Sequence, residues 1–428
     1  MDIVYTDDPS FERTMNRIQH RGGVTDQSII EQVSGIVRDV AERGDAALFE
    51  YTGKFDGCTL DERSVEVSSR EMDRAMDEID GADREVLELA ARRIEAFHRN
   101  QCVDSWFTVD DDGVELGQLV RPLERVGIYA PGGRAAYPST VLMAAIPARV
   151  AGVKDIVLVT PVRDGGISPL IRAAARIGGV DRIFTVGGAQ AIAALAYGTA
   201  SIPAVDKIVG PGNVYVATAK QMVYGRVGID MIAGPSEIVI ISDGSVKASV
   251  VAADLLSQAE HDPLASAVLL TPVKGCALDV AAEVDTQLKV LERRAIAAAS
   301  LDAYGAIIVT EDMDEALAIA NRFAPEHLEL MVERPRELLG KAGHAGAIFL
   351  GNHSPEVLGD YMAGPSHILP TGGTARFSSP LGVYDFVTRT STIAFSAAAL
   401  RKHGASTKRF AELEGLDGHG RSITARLT

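Results

Sequence analysis

Cysteine is scarce, with three in 428 residues: Cys58, Cys102 and Cys276. They stand far apart, so there is no CxxC pair, and an odd, low count suits a reducing cytosol rather than a disulfide framework. Positive charge is also in deficit. Forty-two Lys and Arg against 58 Asp and Glu leave a formal charge of −16, which argues against nucleic-acid and anionic-membrane partners, because phosphate surfaces need clustered cations. The acidity fits either a solubility requirement or a saline cytoplasm. No uninterrupted apolar run reaches membrane-spanning length. The opening MDIVYTDDPSFERT lacks the basic start and apolar stretch of a secretory signal, so the expectation is a cytoplasmic protein. Internal repeats and low-complexity segments are absent. What remains is 46% hydrophobic and 23% charged, the composition of an ordinary globular protein. The length allows two or more domains and a large core without staples, so a metal here would serve chemistry.

From about Asp26 to Gln101 apolar residues recur at three- and four-residue spacing, predicting amphipathic helices, a break at Gly44–Asp45 and a short strand near VEV. At about Val126 the texture changes. VGIYAPGG, DIVLVTPV, RIFTVGGAQ and KIVGPGNVYV are short apolar runs with Gly or Pro at or near their ends, separated by Ala-rich helical stretches. Alternation of this kind predicts a parallel, doubly wound sheet buried on both faces. It resumes after IDMIAGPSEIVIISDG with SAVLLTP, YGAIIVT, LELMV and AGAIFLG as strands. The N-terminal helical region is expected to pack with this second unit. From about Phe395 the chain reads as helical and polar, too small to fold alone and suited to docking on its own body or on a partner subunit.

Four groups of residues could carry chemistry. Gln258 and His261, three apart at the end of an apolar helix, project from one face; they fit metal donors, or a helix end whose imidazole sits near the negative pole. Glu326 and His327 follow Pro325 at a helix-to-strand junction. They offer two proton-transfer groups, or a charged loop pair. Asp360 and His367 flank a Gly-Pro turn in a loop over 362–373, either a site loop or a surface turn whose polar side chains bond the backbone. Glu414 and His419, in EGLDGH, read in isolation as an acidic turn. Two glycine loops, around Gly187–Gly188 and Gly210–Gly212, lead from strand toward helix, yet both lack the third glycine of G-x-G-x-x-G. His20, His98, His344, His353 and His403 show no partner pattern.

The blocks VGIYAPGGRAAYPSTVLM, VGGAQAIAALAYGT, IVGPGNVYVATAK, AGPSEIVII, DLLSQAEHDP, APEHLEL and GDYMAGPSHILPT, in this order, resemble the histidinol dehydrogenase family, from roughly Arg13 to the C-terminus. The resemblance implies a zinc ion per subunit held by Gln258, His261, Asp360 and His419. It implies Glu326 and His327 as the catalytic pair, with Ser236, Gln258, His261, His327, Asp360, His367, Glu414 and His419 around the substrate. Tyr129, Gln190 and Asn213 match the NAD contacts. It further implies an α/β fold of two incomplete Rossmann-like, doubly wound units with parallel sheets. The expected division is 1–25 with 130–235, 26–129 with 236–380, and a small helical tail, 381–428, that reaches the partner subunit of a homodimer. There Glu414 and His419 would serve the neighbour's site.

The implied reaction is the NAD-dependent, four-electron oxidation of L-histidinol through bound L-histidinal to L-histidine. His327 is the base and Glu326 activates water. A cysteine thiohemiacetal route is not expected, because Cys58, Cys102 and Cys276 lie in none of the blocks. A zinc hydrolase with the same donors would leave the Tyr129, Gln190 and Asn213 blocks unexplained.

Overall fold

A computed structural model of the chain describes residues 1–21, 26–132, 137–162 and 166–427. Part of the VGIYAPGGRAAYPSTVLM block, 133–136, lies outside them, as does the expected boundary at 25. The described chain divides into two units, one of Met1–Gln101 with Glu124–Phe386 and one of Cys102–Leu123 with Val387–Thr428.

The first unit holds two sheets. One contains β2 (Glu66–Val67), β5 (Arg125–Tyr129), β6 (Asp155–Val159), β7 (Arg182–Phe184), β8 (Lys207–Val209) and β9 (Gly228–Ile229) in the order β2-β7-β6-β5-β8-β9. Only β2 runs antiparallel to its neighbour. Its crossovers are α6 (Pro138–Ala151), α7 (Pro169–Gly178), α8 (Gly188–Tyr197) and α9 (Val214–Val223). The other sheet is wholly parallel, with β1 (Asp2–Tyr5), β10 (Glu237–Ser242), β11 (Ser266–Thr271), β12 (Ala306–Val309), β13 (His327–Met331) and β14 (Ala347–Leu350) in the order β1-β12-β11-β10-β13-β14. It is wound with α1 (Phe11–Gln19), α10 (Ala248–Ala259), α11 (Lys274–Leu288), α12 (Arg294–Tyr304), α13 (Met313–Phe323), α14 (Pro335–Leu338) and α15 (Glu356–Tyr361). Every residue of β10, β11, β12 and β13 is buried, as unalternating apolar strands require when helices cover both faces.

Four further helices, α2 (Gln27–Arg43), α3 (Asp45–Asp56), α4 (Ser69–Glu78) and α5 (Gly81–Arg99), precede β5, with β2 between α3 and α4. Val33, Ile36, Val37 and Val40 form the apolar stripe of α2, whose start is capped by Asp26 accepting the Ser28 N–H at 2.9 Å. The break falls at Gly44, which turns between α2 and α3 with φ +59°. These helices pack on the first sheet, not the second: α2 against α8 and α9, α4 against α7, α5 against α6. The physical cause lies in α8, which is buried all round from Ala189 to Ala196 and apolar there except at Gln190. Its outer face needs a cover, and the stripe of α2 supplies it. Conversely β1 forms the edge of the second sheet beside β12, and Met15 and Ile18 of α1 enter that sheet's core. The expected division is therefore exchanged at the N-terminus, with 1–21 joining the later sheet and α2–α5 the earlier one.

The second unit is a three-stranded antiparallel sheet of β3 (Trp106–Val109), β4 (Val114–Pro122) and β15 (Val387–Phe395) in the order β15-β4-β3, followed by α16 (Ala397–Leu413) and α17 (Asp417–Leu427). The chain is helical from Ala397, as expected, and the nine-residue strand β15 precedes that helical end. His403 gains a partner here: its Nε2 lies 2.8 Å from Asp112.

One buried ion pair holds the turn after β8. Lys220 on α9 donates to the Gly210 carbonyl at 2.9 Å and to Asp230 Oδ1. Asp230 in turn accepts the Gly210 N–H at 2.7 Å and the Met231 N–H at 2.6 Å. Both charged side chains are buried. Lys220→Met would leave Asp230 buried without its cation and should lower stability by about 3–5 kcal/mol, seen as a lower urea midpoint. An unchanged midpoint would show that the pair does not hold the turn.

Candidate active site

In each sheet the chain reverses direction of growth once. The first adds β6 and β7 on one side of β5, then returns to β8 on the other; the second adds β11 and β12 beside β10, then returns to β13. Such switch points open a crevice between adjacent strands. In the second sheet the polar residues gather at the amino-terminal edge of that seam, where Ser236 and Glu237 lead into β10 and Glu326 and His327 lead into β13. Ala324 ends α13 in the left-handed region, φ +47°. The junction after Pro325 therefore forms where the sequence predicts it.

Glu237 meets both members of the pair through its backbone. Its N–H donates to Glu326 Oε2 at 3.0 Å, and its carbonyl lies 3.1 Å from His327 Nδ1. A carbonyl only accepts, so Nδ1 carries the proton and Nε2 keeps its lone pair. Gln258 Oε1, also 3.1 Å from Nδ1, agrees with that tautomer. Burial pushes the His327 pKa down to about 3. Burial, then the nearby Glu237 carboxylate, pushes Glu326 well above the usual carboxylate range.

Gln258 sits fully buried in the last turn of α10. His261 is exposed in the turn that follows. Asp360 comes from α15 and is half-buried, its pKa raised by burial to about 6. Donor atoms of His261, Asp360 and a third residue, Glu356, lie within 4.8 Å of one another. Glu356 is buried, donates its N–H to Glu329 at 2.7 Å and places Oε1 3.8 Å from His327 Nε2. Burial raises its carboxyl to about 8. Sequence reading missed it; the usable signal was its position four residues before Asp360, on the same helical face.

His367 lies in the predicted loop. Its Nδ1 is 3.1 Å from the Asp360 carbonyl and its Nε2 3.3 Å from Thr140 Oγ1 of α6, and burial pushes its pKa down to about 4. The loop is pinned to α6 again by Ser366, which donates to the Met143 carbonyl at 3.2 Å. Ser236 is half-buried beside Glu237. Glu414 and His419 belong to the second unit, at the C-cap of α16 and within α17, both exposed.

Glu356 Oε1 is buried and has no hydrogen-bond partner among the described residues. With the Asp360 carboxylate and the His261 imidazole, and no thiol, it forms an oxygen and nitrogen donor set that fits a divalent ion such as Zn²⁺. The cysteines lie elsewhere: Cys276 contacts Ser242 at the far end of β10, Cys58 bonds the Val162 carbonyl, and Cys102 is exposed in the second unit.

The switch point of the first sheet gathers the expected nucleotide contacts at its carboxyl ends, where such sites form. Tyr129 ends β5, and its hydroxyl accepts the Gly188 N–H at 3.2 Å; burial raises its pKa to about 12. Gln190 is buried in the first turn of α8. Asn213 caps α9, accepting from Tyr215 N–H at 3.0 Å and Val216 N–H at 3.2 Å. Gly210, at φ +111°, must be glycine, because a Cβ there would lie 2.1 Å from the Tyr129 carbonyl.

Two Rossmann-like halves, one with a crevice at its carboxyl edge and one with an imidazole–carboxylate cluster at its amino edge, define an α/β enzyme. A family model described as histidinol dehydrogenase matches residues 19–427. The histidinol dehydrogenase of Syntrophotalea carbinolica is 54% identical over 427 residues, 100% of this chain and 99% of that protein. That of Geobacter metallireducens is 53% identical over 421 residues, 98% and 97% of the two chains. The crystal structure of histidinol dehydrogenase from Elizabethkingia anophelis matches with a TM-score of 0.93 at 36% identity, covering 100% of this chain and 98% of that one. The chain belongs to the histidinol dehydrogenase family, oxidoreductases of histidine biosynthesis.

The cluster's ionisation predicts a pH dependence for the metal-free protein. Glu356 and Asp360 have raised pKa values, so the native state holds protons that the unfolded chain releases, and stability falls as pH rises from about 4 to 8. His327 and His367, with lowered values, act oppositely: their contribution is present above about 6.5 and is lost as pH falls toward 4. Chelated protein should therefore lose stability between pH 6 and 8, and Zn²⁺ should flatten that slope. Urea midpoints at the two pH values, with and without metal, test this; equal slopes would remove the acids from the metal's surroundings.

Proposed function

We propose that the protein oxidises L-histidinol through bound L-histidinal to L-histidine, using two NAD and one water and releasing two NADH and three protons. The observation that carries the reading is the fixed tautomer of His327: Nδ1–H is committed to the Glu237 carbonyl and Nε2 is left as a base. Gln258, His261 and Asp360, with His419 of a second copy, would hold Zn²⁺; the switch-point residues Tyr129, Gln190 and Asn213 would hold NAD. When bound, the metal would supply an anchor for the substrate's imidazole and amino nitrogens, and NAD the hydride acceptor.

His327 Nε2 then takes the hydroxyl proton as hydride leaves the carbinol carbon. The aldehyde stays in place. Glu326 accepts a proton from the water that adds to it; its raised pKa makes the ionised form a stronger base than an ordinary carboxylate. His327 releases its first proton to solvent, the resulting hydrate gives up a second hydride, and the freed Nε2 takes the hydrate's hydroxyl proton. Ser236 and His367, with Glu414 of a second copy, frame the substrate.

A homodimer is part of this proposal. The small second unit leaves large apolar side chains exposed, Trp106, Phe107, Ile393, Phe410 and Leu413 among them, which a partner chain would cover, and Glu414 and His419 lie on its helical part. Among the described residues no helix is long and apolar enough to cross a membrane, which accords with a cytoplasmic enzyme.

The decisive measurement is NADH formed per L-histidinol consumed, with and without a chelator. Two NADH, abolished by chelation and restored by Zn²⁺, are expected; one NADH would mean a simple alcohol dehydrogenase, and none would sink the substrate assignment. Glu326→Gln should spare histidinol oxidation and slow histidinal oxidation by about 10²–10⁴-fold, the usual worth of a general base. Equal loss in both steps would give Glu326 another role.

A further inference from the structure

Arg21, at the end of the N-terminal helical segment, lies more than 200 residues from every site residue of the second sheet, yet its guanidinium is buried among them. Nε donates to the Leu264 carbonyl at 3.0 Å, in the loop that follows His261. Nη1 donates to the Ile18 carbonyl at 2.6 Å. Nη2 donates to Glu237 Oε2 at 2.8 Å and reaches the Ser236 carbonyl at 3.5 Å. The other oxygen of Glu237 accepts the Gly372 N–H at 2.7 Å, at the end of the loop that carries His367. Both oxygens of the Glu237 side chain are thus taken up by Arg21 and Gly372. Its backbone does the directing, N–H to Glu326 and C=O to His327.

Resting on the proposed role of Glu326 and His327, we infer that Arg21 and Glu237 are positioning residues for that pair. The guanidinium fork fixes the Glu237 carboxylate, the carboxylate fixes where the peptide groups of residue 237 stand, and those groups aim the water-activating carboxyl and the base nitrogen. Arg fits because its planar fork addresses Glu237 and two further segments at once, which a lysine ammonium on a flexible stem would not hold in one geometry. A displacement of about 1 Å at such a pair can cost on the order of 10²-fold in rate. Because both catalytic groups hang on one residue, loss of the anchor slows both oxidations together, unlike Glu326→Gln.

The test uses the zinc-loaded enzyme and measures histidinol and histidinal oxidation separately, with KM for NAD. Arg21→Lys keeps the charge and is the variant expected to fold; Arg21→Met removes it. Arg21→Lys should lower kcat for both steps by about tenfold, Arg21→Met by more, with KM for NAD within about twofold, since the nucleotide crevice lies on the other sheet. Parent-like kcat in either folded variant overturns the inference, and so does a rise in KM for NAD that matches the fall in kcat, which would mean general loosening. His327→Asn and Glu326→Gln separate the two failures: if these lose activity while the Arg21 variants keep it, only the positioning role falls; if they too keep it, the catalytic reading falls first.

Discussion

The burial of carboxylates at one edge of a parallel sheet is the constraint around which the second half of this molecule is arranged. Glu237, Glu326, Glu329 and Glu356 are all nearly inaccessible, and a buried charge is costly unless it is paired or relieved of its charge. Of these four, Glu237 alone pairs with a guanidinium among the described residues. Glu326 is pushed toward its neutral form, and Glu329 likewise, by burial and by the adjacent Asp254. Glu356 and Asp360 point their oxygens to where His261 also points, the geometry in which a divalent cation offsets negative charge.

The two sheets are joined by more than chain. The helix after β5 gives Thr140 to His367 and the Met143 carbonyl to Ser366, so the loop that frames the second sheet's cluster is seated on a helix of the first. The linker after Asp230 runs into Ser236 and Glu237. A shift of either half would therefore be felt at the imidazoles, which accords with a reaction that needs one half's ligand beside the other's.

Much of this was legible. The break at Gly44, the short strand at Glu66–Val67, the parallel strands and the junction before His327 follow from apolar period and from Gly and Pro placement. The expected nucleotide contacts and the proposed catalytic pair came through resemblance, not through any fingerprint, and these residues stand at the switch points of the two sheets. Three things were not legible. The partnership of α2 with α8 depends on which of two similar sheets has an uncovered apolar helix, a tertiary matter. β4 and β15 alternate too weakly, with Gly117 in one and a run of Thr and Ser in the other, to stand out as strands. Arg21 and Thr140 reach the cluster across more than 200 residues, a distance at which no local pattern operates.

The turn after β8 carries a consequence for ligand binding. Gly210 is held at both poles of its backbone, its N–H by Asp230 and its carbonyl by Lys220. The loop is thus already ordered when a ligand arrives at the crevice between β5 and β8. Its loss of conformational freedom belongs to folding, so a ligand's contacts there need not offset it. Affinity at that crevice can then rest on few direct contacts, with neither a full glycine fingerprint nor a cluster of cations.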